Sequence, residues 1–350
     1  MAEDSFTPPP ASGANSDADA DRLRRRRSFD DAATTYAMAR PDYPGALFDD
    51  LVTLAHLTPS GRILEVGLGT GRATLPLARR GYTIIGVELG AQLAAVARAT
   101  LAPYPNARIE VADFEQWPLP PTLAGQCDLV ISASAWHWID PAIGYPKAAA
   151  ALTSTGALAL LWASQHAPDP AVDPTNTHET PVATPVSASP TYPLGASDSP
   201  SLGSSLAPAD ETSFDDALRA LLRALAPQTL QGRGSDWFRQ GQPEATPTTP
   251  TSPNTLLPQG RGRFARAEEI TTLASAWFDP PITRTYAFTV HYDATSYVQL
   301  LDSYSSYRTL DAAVRARVFT AIQTLIEDQY GGRVTRHWHA ELYVAHRRCV

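Results

Sequence analysis

Short apolar runs alternate with amphipathic segments through the first half of the chain. Each run has five to eight residues and few charges, which is typical of a strand buried on both faces. Because helical segments separate the runs, the pattern predicts a parallel sheet with helices on both sides. The five runs are RILEVG at 62–67, YTIIGVE at 82–88, ARIEV at 107–111, CDLVISAS at 127–134 and ALALLWA at 157–163.

The segments around these runs have helical spacing. Leucines recur every three to four residues in 45–57, and a serine N-cap with acids in the first turn begins a helix at Ser28. Pro41 and Pro44 end that helix, because a residue before proline avoids helical geometry. Further helices are predicted over 72–81, over 91–101 and up to 153, with a turn at 154–156.

The last part of the chain returns to ordered patterns. A segment at 267–277 precedes an alternating strand at 282–293 and two helices, 295–310 and 311–332. The final segment, 333–348, is predicted to form a strand or a hairpin. Together with the five apolar runs, these strands predict a doubly wound, mostly parallel α/β sheet of seven strands, a Rossmann-like fold.

Two polar segments interrupt this pattern. Residues 167–212 and 228–263 are rich in Pro, Ser and Thr, and 15 of the 31 prolines lie between positions 167 and 260. Such segments bury too little apolar surface to offset their ordering entropy, so we expect disordered insertions. The helix predicted between them places four leucines on one face, Leu218, Leu221, Leu222 and Leu225.

Composition and charge exclude several classes of protein. The net charge of −8 disfavours a nucleic-acid partner. No segment approaches the roughly 20 apolar residues that cross a bilayer, and the N-terminus lacks the apolar core of a secretory signal. Two cysteines are too few for a disulfide framework, and the HWH motif at 337–339 has no third ligand nearby, so no metal site is predicted. We expect a cytoplasmic protein with a disordered tail over 1–27 and one domain over 28–350.

The sequence ILEVGLGTGRAT at 63–74 predicts a ligand-binding loop between the first strand and the next helix. A phosphate-binding loop of NTPases needs a lysine after its last glycine, and this chain has Arg72 there. A dinucleotide-binding G-x-G-x-x-G motif needs its third glycine at position 72, whereas the chain has it at Gly71. A nicotinamide-dependent oxidoreductase is therefore disfavoured but stays an alternative.

The same loop resembles that of the class I S-adenosylmethionine-dependent methyltransferases. Glu65, Gly67, Gly69 and Gly71 match the family's E/D-x-G-x-G-x-G pattern at every position. The resemblance implies a Rossmann-like methyltransferase fold, S-adenosyl-L-methionine as the cofactor and a methyl-transfer reaction. It also implies that the glycine backbone lies against the methionine end of the cofactor and that Glu65 anchors polar groups there.

Further positions follow in the family's order. Glu88 ends the second strand, 23 residues after Glu65, where the resemblance implies a carboxylate that binds both ribose hydroxyls. A dehydrogenase would use the same acid for its own ribose, so Glu88 does not separate the two classes. The resemblance also implies that Asp113 binds the adenine amine and that Phe114 packs on the adenine ring. Ser132 is assigned to the cofactor site because family members close over the sulfonium where the fourth strand ends.

Both ends of the predicted domain resemble one subgroup, the small-molecule methyltransferases of the trans-aconitate type. The N-terminal match, FDDAATTYAMARPDYP, folds over the cofactor in that subgroup, so Tyr36 and Arg40 are candidates for binding its carboxylate end. The C-terminal match begins at YSSYRTL and makes Tyr304, Tyr307 and Arg308 candidates for lining the acceptor pocket. An arginine there suits a carboxylate acceptor through bidentate pairing, and packing with a surface charge is the alternative.

The WHW sequence lies where the fourth strand ends, at the carboxyl edge where doubly wound sheets bind ligands. His137 is a candidate general base toward a hydroxyl or carboxyl acceptor, with Trp136 and Trp138 as candidate substrate contacts. The alternative is that His137 bonds the backbone while both tryptophans pack. A base is needed mainly when the nucleophile carries a proton, because a neutral, good leaving group makes alignment the main requirement.

The acceptor class is narrowed by motifs that the chain lacks. It has no N-P-P-Y-type sequence after the fourth strand, which disfavours an amino group on a base, and no Pro-Cys nucleophile there for cytosine C5 chemistry. We therefore predict methyl transfer to a small-molecule acceptor by in-line displacement, with O- or carboxyl methylation favoured. The alternatives are an NAD(P)-dependent oxidoreductase and a non-catalytic protein of the same fold that recruits partners. The sequence makes no prediction of the oligomeric state.

Overall fold

The computed structural model describes residue 30 and residues 39–165, 211–230 and 263–348. The predicted tail, the helix predicted from Ser28 and most of the two predicted insertions lie outside these described residues. Within them the chain forms one sheet with helices packed against it.

Seven strands of the described ranges form this sheet. They are β1 Arg62–Val66, β2 Thr83–Glu88, β3 Ala107–Val111, β4 Cys127–Ala133, β5 Leu152–Ser164, β6 Ile282–Asp293 and β7 Arg333–His346. Their order is β3-β2-β1-β4-β5-β7-β6. Neighbours among the first five strands are parallel, whereas β7 runs antiparallel to both β5 and β6. The predicted doubly wound, mostly parallel sheet of seven strands is therefore confirmed.

The helices begin where aspartates or prolines favour a helix start. Asp140, Asp293 and Asp311 each cap the helix that follows by accepting a backbone N–H from its first turn. The helices are α1 Gly45–Leu54, α2 Thr74–Arg79, α3 Ala91–Leu101, α4 Pro141–Ala151, α5 Glu211–Leu225, α6 Arg263–Ala274, α7 Ala294–Asp302, α8 Ser305–Arg308 and α9 Ala312–Gln329.

The sheet is buried between two apolar layers, one on each face. Ile63 of β1 packs into one layer and its neighbour Leu64 into the other, and both are fully buried. This is why the central strands are continuous apolar runs with no polar alternation. The parallel strands therefore bring their carboxyl ends to one edge of the sheet, with the loops that follow them.

The turn predicted at 154–156 is wrong, because these residues belong to β5. The pairing register between β4 and β5 shifts at this point, because Leu152 pairs with Cys127 and Ala157 pairs with Leu129. A Cβ on Gly156 would lie 3.0 Å from the carbonyl oxygen of Cys127, so glycine permits close strand contact at this point. The residue types that favour a turn coincide here with an irregularity within the strand.

Two predictions for the C-terminal part need correction or sharpening. The single helix predicted at 295–310 is two helices, α7 and α8, separated at Ser303. The Ser303 hydroxyl donates to the carbonyl of Leu300 at 2.6 Å, and such local bonds compete with helix continuation. The final segment, predicted as a strand or a hairpin, is the single strand β7.

The strands β6 and β7 continue beyond the carboxyl edge of the rest of the sheet. β7 pairs with β5 only from His339 onward, opposite Ser164, whereas residues 333–338 pair with β6 alone. Helices α5, α7, α8 and α9 pack against this extension in an apolar core that includes Trp338. We call the extension and these four helices the cap. The cap lies past the end of β5, at the edge where the predicted site residues gather.

Candidate functional site

The glycine loop connects β1 to α2 at the carboxyl edge. Gly67, Gly69 and Gly71 all have positive φ, at 67°, 58° and 85°. A Cβ on Gly67 would lie 2.4 Å from the Cβ of Ala135, whereas a Cβ on Gly69 would meet nothing within 4 Å. Gly67 therefore allows the loop to touch the segment after β4, and Gly69 borders open space.

Glu88 holds the glycine loop against the end of β2. Its Oε2 accepts the Gly69 N–H at 2.8 Å, and its Oε1 accepts the Gly90 N–H at 2.8 Å. The side chain is buried, and the bond to Gly90 is buried whereas the bond to Gly69 is partly buried. Glu88 therefore fixes the middle of the loop relative to β2 and places a carboxylate beside the open space at Gly69.

Glu65 lies beneath the loop, near the end of β1. It is 0% exposed, and neither carboxyl oxygen makes a well-formed hydrogen bond to the described part of the chain. Burial first, and then the charge of Glu88, raise its pKa to about 8, although the nearby Thr74 hydroxyl opposes the shift. A buried carboxyl group without a hydrogen bond is costly, and a cationic ligand group would relieve that cost.

Asp113 reaches the same edge from β3. The Ala112 N–H donates to the carbonyl of Glu88 at 2.9 Å, which brings the next residue to the end of β2. Asp113 Oδ1 accepts the Glu115 N–H at 3.1 Å, so the aspartate also shapes its own turn. The structure therefore places the backbone before Asp113 at the end of β2, and the binding of the adenine amine by Asp113 stays a prediction.

Phe114 turns into the core and away from the loop. It is 2% exposed, and its ring centroid lies 6.4 Å from those of both Trp117 and Trp136. Lys147 fixes this segment, because its Nζ donates to the carbonyls of Phe114 at 2.7 Å and of Trp117 at 2.8 Å. The position of the ring does not support the predicted packing of Phe114 on adenine.

Two serines near the end of β4 have different surroundings. The hydroxyl of Ser132, which is fully buried, donates to the carbonyl of Val66 at 2.8 Å, so it ties β4 to the start of the glycine loop. Ser134 has a φ of 55°, and its hydroxyl bonds the Tyr43 hydroxyl at 3.1 Å. A non-glycine residue in this conformation is uncommon and is a feature of functional sites. No signal in the sequence marks Ser134.

The WHW residues form a 3₁₀ helix, Trp136–Trp138, after β4. Trp136 is 1% exposed and packs between Phe114 and Tyr145, so it is a core residue and its position does not support a substrate contact. Trp138 is partly exposed, and its ring lies 4.9 Å from that of His137. Of the two predicted tryptophan contacts, the structure leaves Trp138 the better placed.

His137 is buried beside Trp162 of β5. The Trp162 Nε1–H donates to His137 Nδ1 at 3.4 Å. Burial first, and then the charge of Arg266, lower the pKa of His137 to about 3. A neutral imidazole that accepts at Nδ1 carries its proton on Nε2, which is a poor arrangement for taking up another. The position favours a packed histidine, and the role of general base stays a prediction.

Residues predicted at the two ends of the domain meet at the cap. The Arg40 Nε–H donates to the Ser303 hydroxyl at 3.0 Å, and its guanidinium lies 4.2 Å from the centre of the Tyr304 ring. The Gln165 Nε2–H, just after β5, donates to the Tyr304 hydroxyl at 3.1 Å. Tyr36, which is predicted to act with Arg40, lies outside the described residues.

Tyr307 and Arg308 have neighbours within the cap. Tyr307 is 1% exposed and its ring lies 5.8 Å from that of Phe319, so it belongs to the core of the cap. Arg308 lies 3.7 Å from the carboxylate of Asp302. The burial of Tyr307 does not support a contact with an acceptor, and the predicted role of Arg308 stays a prediction.

A buried arginine links the cap to the end of β5. Arg336 of β7 is 1% exposed, its Nη1–H donates to Asp215 of α5 at 2.6 Å, and its Nε–H donates to Gln165 at 3.2 Å. Since Gln165 also donates to Tyr304, hydrogen bonds run from α5 through β7 to the segment before α8. Sequence spacing cannot reveal this network, because Asp215 and Arg336 are 121 residues apart.

The chemistry of the loop fits S-adenosylmethionine better than a dinucleotide. Glu65 suits an ammonium group, and Glu88 suits ribose hydroxyls beside the open space at Gly69. Glu88 would suit the ribose of a dinucleotide equally, but a pyrophosphate at the loop would meet the buried carboxyl group of Glu65. Arg72, the cation of the loop, is bonded to Asp42 at 2.8 Å.

Neither a cluster of metal ligands nor a membrane-spanning helix is found within the described ranges. Within the described ranges, no three or more His, Cys, Asp or Glu side chains are grouped to hold a metal ion. In the HWH motif, His337 Nδ1 bonds the hydroxyl of Thr289 at 3.1 Å. No helix in the described part of the chain is long and apolar enough to cross a bilayer.

Known proteins resemble this chain from β1 to the start of β5. A family model described as a methyltransferase domain matches residues 63–156. An uncharacterized methyltransferase of Mycobacterium tuberculosis is 35% identical over 135 residues, which cover 39% of this chain and 51% of that protein. The trans-aconitate 2-methyltransferase of Deinococcus radiodurans is 33% identical over 92 residues, with 26% and 33% covered. The ribosomal RNA small subunit methyltransferase A of Thermotoga maritima is 36% identical over 64 residues, with 18% and 23% covered.

The family match covers the loop side of the site and leaves the cap outside it. Residues 63–156 run from β1 into β5 and contain the glycine loop, Glu88, Asp113 and the WHW helix. The match to the mycobacterial relative spans about half the length of that protein. Residues 63–156 are therefore similar to a methyltransferase domain, and the glycine loop with its carboxyl groups lies within that match.

Proposed function

We propose that the protein transfers a methyl group from S-adenosyl-L-methionine to a small-molecule acceptor, with O- or carboxyl methylation favoured. The observation that carries the proposal is the pair of carboxyl groups around the glycine loop. Glu88 accepts the N–H of Gly69, and Glu65 is buried beneath the loop without a well-formed hydrogen bond in the described ranges. This arrangement supports a ligand that presents hydroxyl groups and an ammonium group along one loop.

Each loop residue would hold one part of the cofactor. Glu65 takes the ammonium group, because an opposite charge stabilises the ionised form of a buried carboxyl group. Glu88 accepts from the ribose hydroxyls, since a carboxylate offers about four acceptor positions, more than the bonds to Gly69 and Gly90 require. Asp113 follows the residue bonded to Glu88 and would take the adenine amine.

The chain contributes mainly alignment to the proposed reaction. When bound, S-adenosylmethionine supplies a methyl group on a positively charged sulfur, ready for in-line displacement by a nucleophile. Holding both reactants in one geometry accounts for much of the rate in such a step. After β4, Ser134 bonds Tyr43, and Arg40 lies against the ring of Tyr304 between α7 and α8. Because His137 Nδ1 faces Trp162, proton removal by this histidine has less support than alignment.

Two features support a small-molecule acceptor, the net charge of the chain and the arginine at the cap. The names of two relatives give trans-aconitate as the acceptor of one and ribosomal RNA as that of the other. The net charge of −8 disfavours a nucleic acid for this chain. Arg308 of α8, the arginine predicted in the acceptor pocket, supports an acceptor with a carboxylate or an acidic hydroxyl.

Calorimetry with S-adenosylhomocysteine tests the cofactor, with NADH titrated in parallel. We expect micromolar binding of the first and none of the second. Glu88→Ala should weaken binding about 100-fold, because charge-assisted hydrogen bonds are lost. Glu327→Ala, which removes an exposed acid from α9, is the control and should bind as the wild type does. Unchanged affinity in Glu88→Ala would remove the ribose assignment, and binding of NADH alone would replace the methyltransferase reaction with an oxidoreductase.

A screen of acceptors tests the substrate class. Release of S-adenosylhomocysteine is measured with small carboxylic acids, with phenols and with ribosomal RNA. We expect turnover with a member of the first two groups. Arg308→Ala should raise KM for a carboxylate more than for a phenol, since only the carboxylate pairs with the guanidinium. Turnover with RNA alone would contradict the proposed acceptor and leave the cofactor assignment intact.

A further inference from the structure

Asp30 caps a helix that lies far from it in the sequence. Its Oδ1 accepts the N–H of Gln92 at 2.8 Å and that of Leu93 at 2.9 Å. These are the second and third residues of α3, and the first N–H groups of a helix have no partner within it. Gly90, at the N-cap, has no side chain to bond them. The cap of α3 is instead a carboxylate 62 residues before Gln92.

Gly90 leaves room for the Asp30 carboxylate. Its φ of −81° is one that any residue adopts, so its conformation does not require glycine. A Cβ there would lie 2.5 Å from Asp30 Oδ1 and 3.0 Å from Asp30 Cγ, so a larger residue would push the Asp30 side chain aside. The Asp30 side chain therefore lies directly against Gly90 as it reaches the start of α3.

Gly90 is also the residue that orients Glu88. Its N–H donates to Glu88 Oε1 at 2.8 Å, while Glu88 Oε2 accepts from Gly69. The two bonds set the rotation of the carboxylate at the end of β2. If Gly90 moves, Oε1 loses this donor and the carboxylate can turn away from the orientation that the loop requires.

We propose that Asp30 is a positioning residue for cofactor binding. It fixes the start of α3 together with Gly90 and, through the Gly90 N–H, the carboxylate of Glu88. The inference rests on the proposed binding of the ribose hydroxyls by Glu88.

A double-mutant cycle with Asp30→Ala and Glu88→Ala tests the proposal. Calorimetry measures the affinity for S-adenosylhomocysteine, and thermal unfolding reports on the fold. Asp30→Ala should weaken binding about fivefold, the effect of losing one helix cap. Asp30→Asn should retain most of the affinity, because asparagine caps helices as well as aspartate does. In the Glu88→Ala background, Asp30→Ala should have no further effect.

A second measurement covers the case in which Glu88→Ala binds too weakly to complete the cycle. The affinity for S-adenosylhomocysteine is divided by that for its 2′-deoxyribose analogue. Asp30→Ala should lower this ratio by about the same fivefold, because its effect passes through the carboxylate of Glu88, which would bind the ribose hydroxyls. Gly90→Ala should act like Asp30→Ala, since the new Cβ displaces the Asp30 side chain. Gly45→Ala, whose Cβ would meet nothing within 4 Å, is the matched control.

Three results would overturn the inference. Asp30→Ala that unfolds at a lower temperature with unchanged affinity and an unchanged ratio would make the cap purely structural. An effect of Asp30→Ala that persists in full beside Glu88→Ala would show a route that bypasses Glu88. If Glu88→Ala alone leaves the affinity unchanged, the ribose assignment fails first, and that pattern differs from both others.

Discussion

The glycine-loop side of the candidate site and the cap differ in how their geometry is fixed. On the loop side, backbone N–H groups and positive-φ glycines within one short stretch are held by Glu88. In the cap, side chains from distant segments meet, with Asp215 and Arg336 121 residues apart and Arg40 and Ser303 263 residues apart. A compact local motif is readable in a sequence, and a set of distant side chains is not.

The two regions also differ in how their buried charges are satisfied. In the cap, the guanidinium of Arg336 is paired with Asp215, so the charge is balanced within the protein. On the loop side, the buried carboxyl of Glu65 makes no well-formed hydrogen bond within the described ranges. We therefore expect changes in the cap to affect stability and changes at the loop to affect ligand binding. Four predictions test this separation.

The largest effect is expected for Gly67→Ala. The new Cβ would lie 2.4 Å from that of Ala135, at a φ of 67°. Backbone strain and overpacking together should lower the free energy of unfolding by about 4 kcal/mol, and S-adenosylhomocysteine binding should be lost because the loop must move. Urea unfolding and calorimetry measure the two effects.

Gly81→Ala is the matched control for Gly67→Ala. Gly81 has a φ of 88°, but a Cβ there would meet nothing within 4 Å. It should cost only the strain of a positive φ, about 1 kcal/mol, with normal binding. Equal losses of unfolding free energy in the two variants would mean that the contact between the loop and the segment after β4 does not contribute to stability.

Breaking the ion pair of the cap should give the next largest effect. Asp215→Ala leaves the guanidinium of Arg336, which is 1% exposed, without its carboxylate. We expect the free energy of unfolding to fall by about 3 kcal/mol, because an uncompensated charge stays buried. S-adenosylhomocysteine affinity should change less than twofold in calorimetry, since the loop side is built separately.

Two further variants make this test specific. Asp216→Ala removes the neighbouring acid, which is 68% exposed and pairs with Arg219, so its effect on stability should be small. Asp215→Ala combined with Arg336→Met should recover much of the stability, because no charge remains buried. A large loss of cofactor affinity in Asp215→Ala would show that the cap and the loop are one unit.

The sequence predicts the loop side well because its chemistry depends on local spacing. Continuous apolar runs predict the parallel strands, and alternate glycines after an acid predict a loop that the structure builds with positive φ at each glycine. The acids at positions 65, 88 and 113 then follow from strand ends. Parallel strands bring their carboxyl ends to one edge, so acids at these ends lie along the same edge of the sheet.

The direction of aromatic side chains was not predictable in the same way. Phe114, Trp136 and Tyr307 are predicted as ligand contacts, yet each is at most 2% exposed and packs in a core. Whether a ring faces a ligand or the interior depends on partners such as Tyr145 and Phe319, which come from other elements. The link from Asp30 to α3 has the same cause, because spacing contains no sign of a cap supplied across 62 residues.

The buried carboxyl of Glu65 predicts opposite effects on stability and on binding. Its folded-state pKa of about 8 exceeds the ordinary 4.5, so between these values the folded protein keeps a proton that the unfolded chain releases. Stability from this group is fully present below pH 4.5 and is lost as pH rises toward 8. Glu65→Gln should therefore be more stable than the wild type at pH 8, by about 2 to 3 kcal/mol in urea unfolding.

Binding should show the reverse. An ammonium group favours the ionised carboxyl, so the wild type releases a proton on binding S-adenosylhomocysteine and its affinity rises with pH up to about 8. Calorimetry in buffers of different ionisation enthalpy counts that proton. Glu65→Gln should bind more weakly at pH 8 and release none. If the affinities of the wild type and of Glu65→Gln for S-adenosylhomocysteine change with pH in the same way, Glu65 does not contact the ligand.

The smallest effect is expected at His137, which lies where the loop side meets β5. Burial, and then the charge of Arg266, lower its pKa from 6.5 to about 3. Between these values the unfolded chain binds a proton at this histidine and the folded protein does not. Stability from this group is present above pH 6.5 and is lost as pH falls toward 3. Between pH 7 and 5.5 the loss should be about 1 kcal/mol in urea unfolding.

His137→Gln should remove this pH dependence, because glutamine still offers Trp162 an acceptor and does not titrate. His291→Gln, at an exposed position of β6, controls for the loss of a histidine. The same variant tests the general base. If His137 only packs, His137→Gln should lose its acid-dependent unfolding and keep turnover of the acceptor at pH 7 close to that of the wild type. A general base contributes about 100-fold or more to the rate. A loss of turnover of that size, with normal S-adenosylhomocysteine affinity, would therefore support His137 as the general base. The imidazole would then have to break its bond to Trp162 during the reaction.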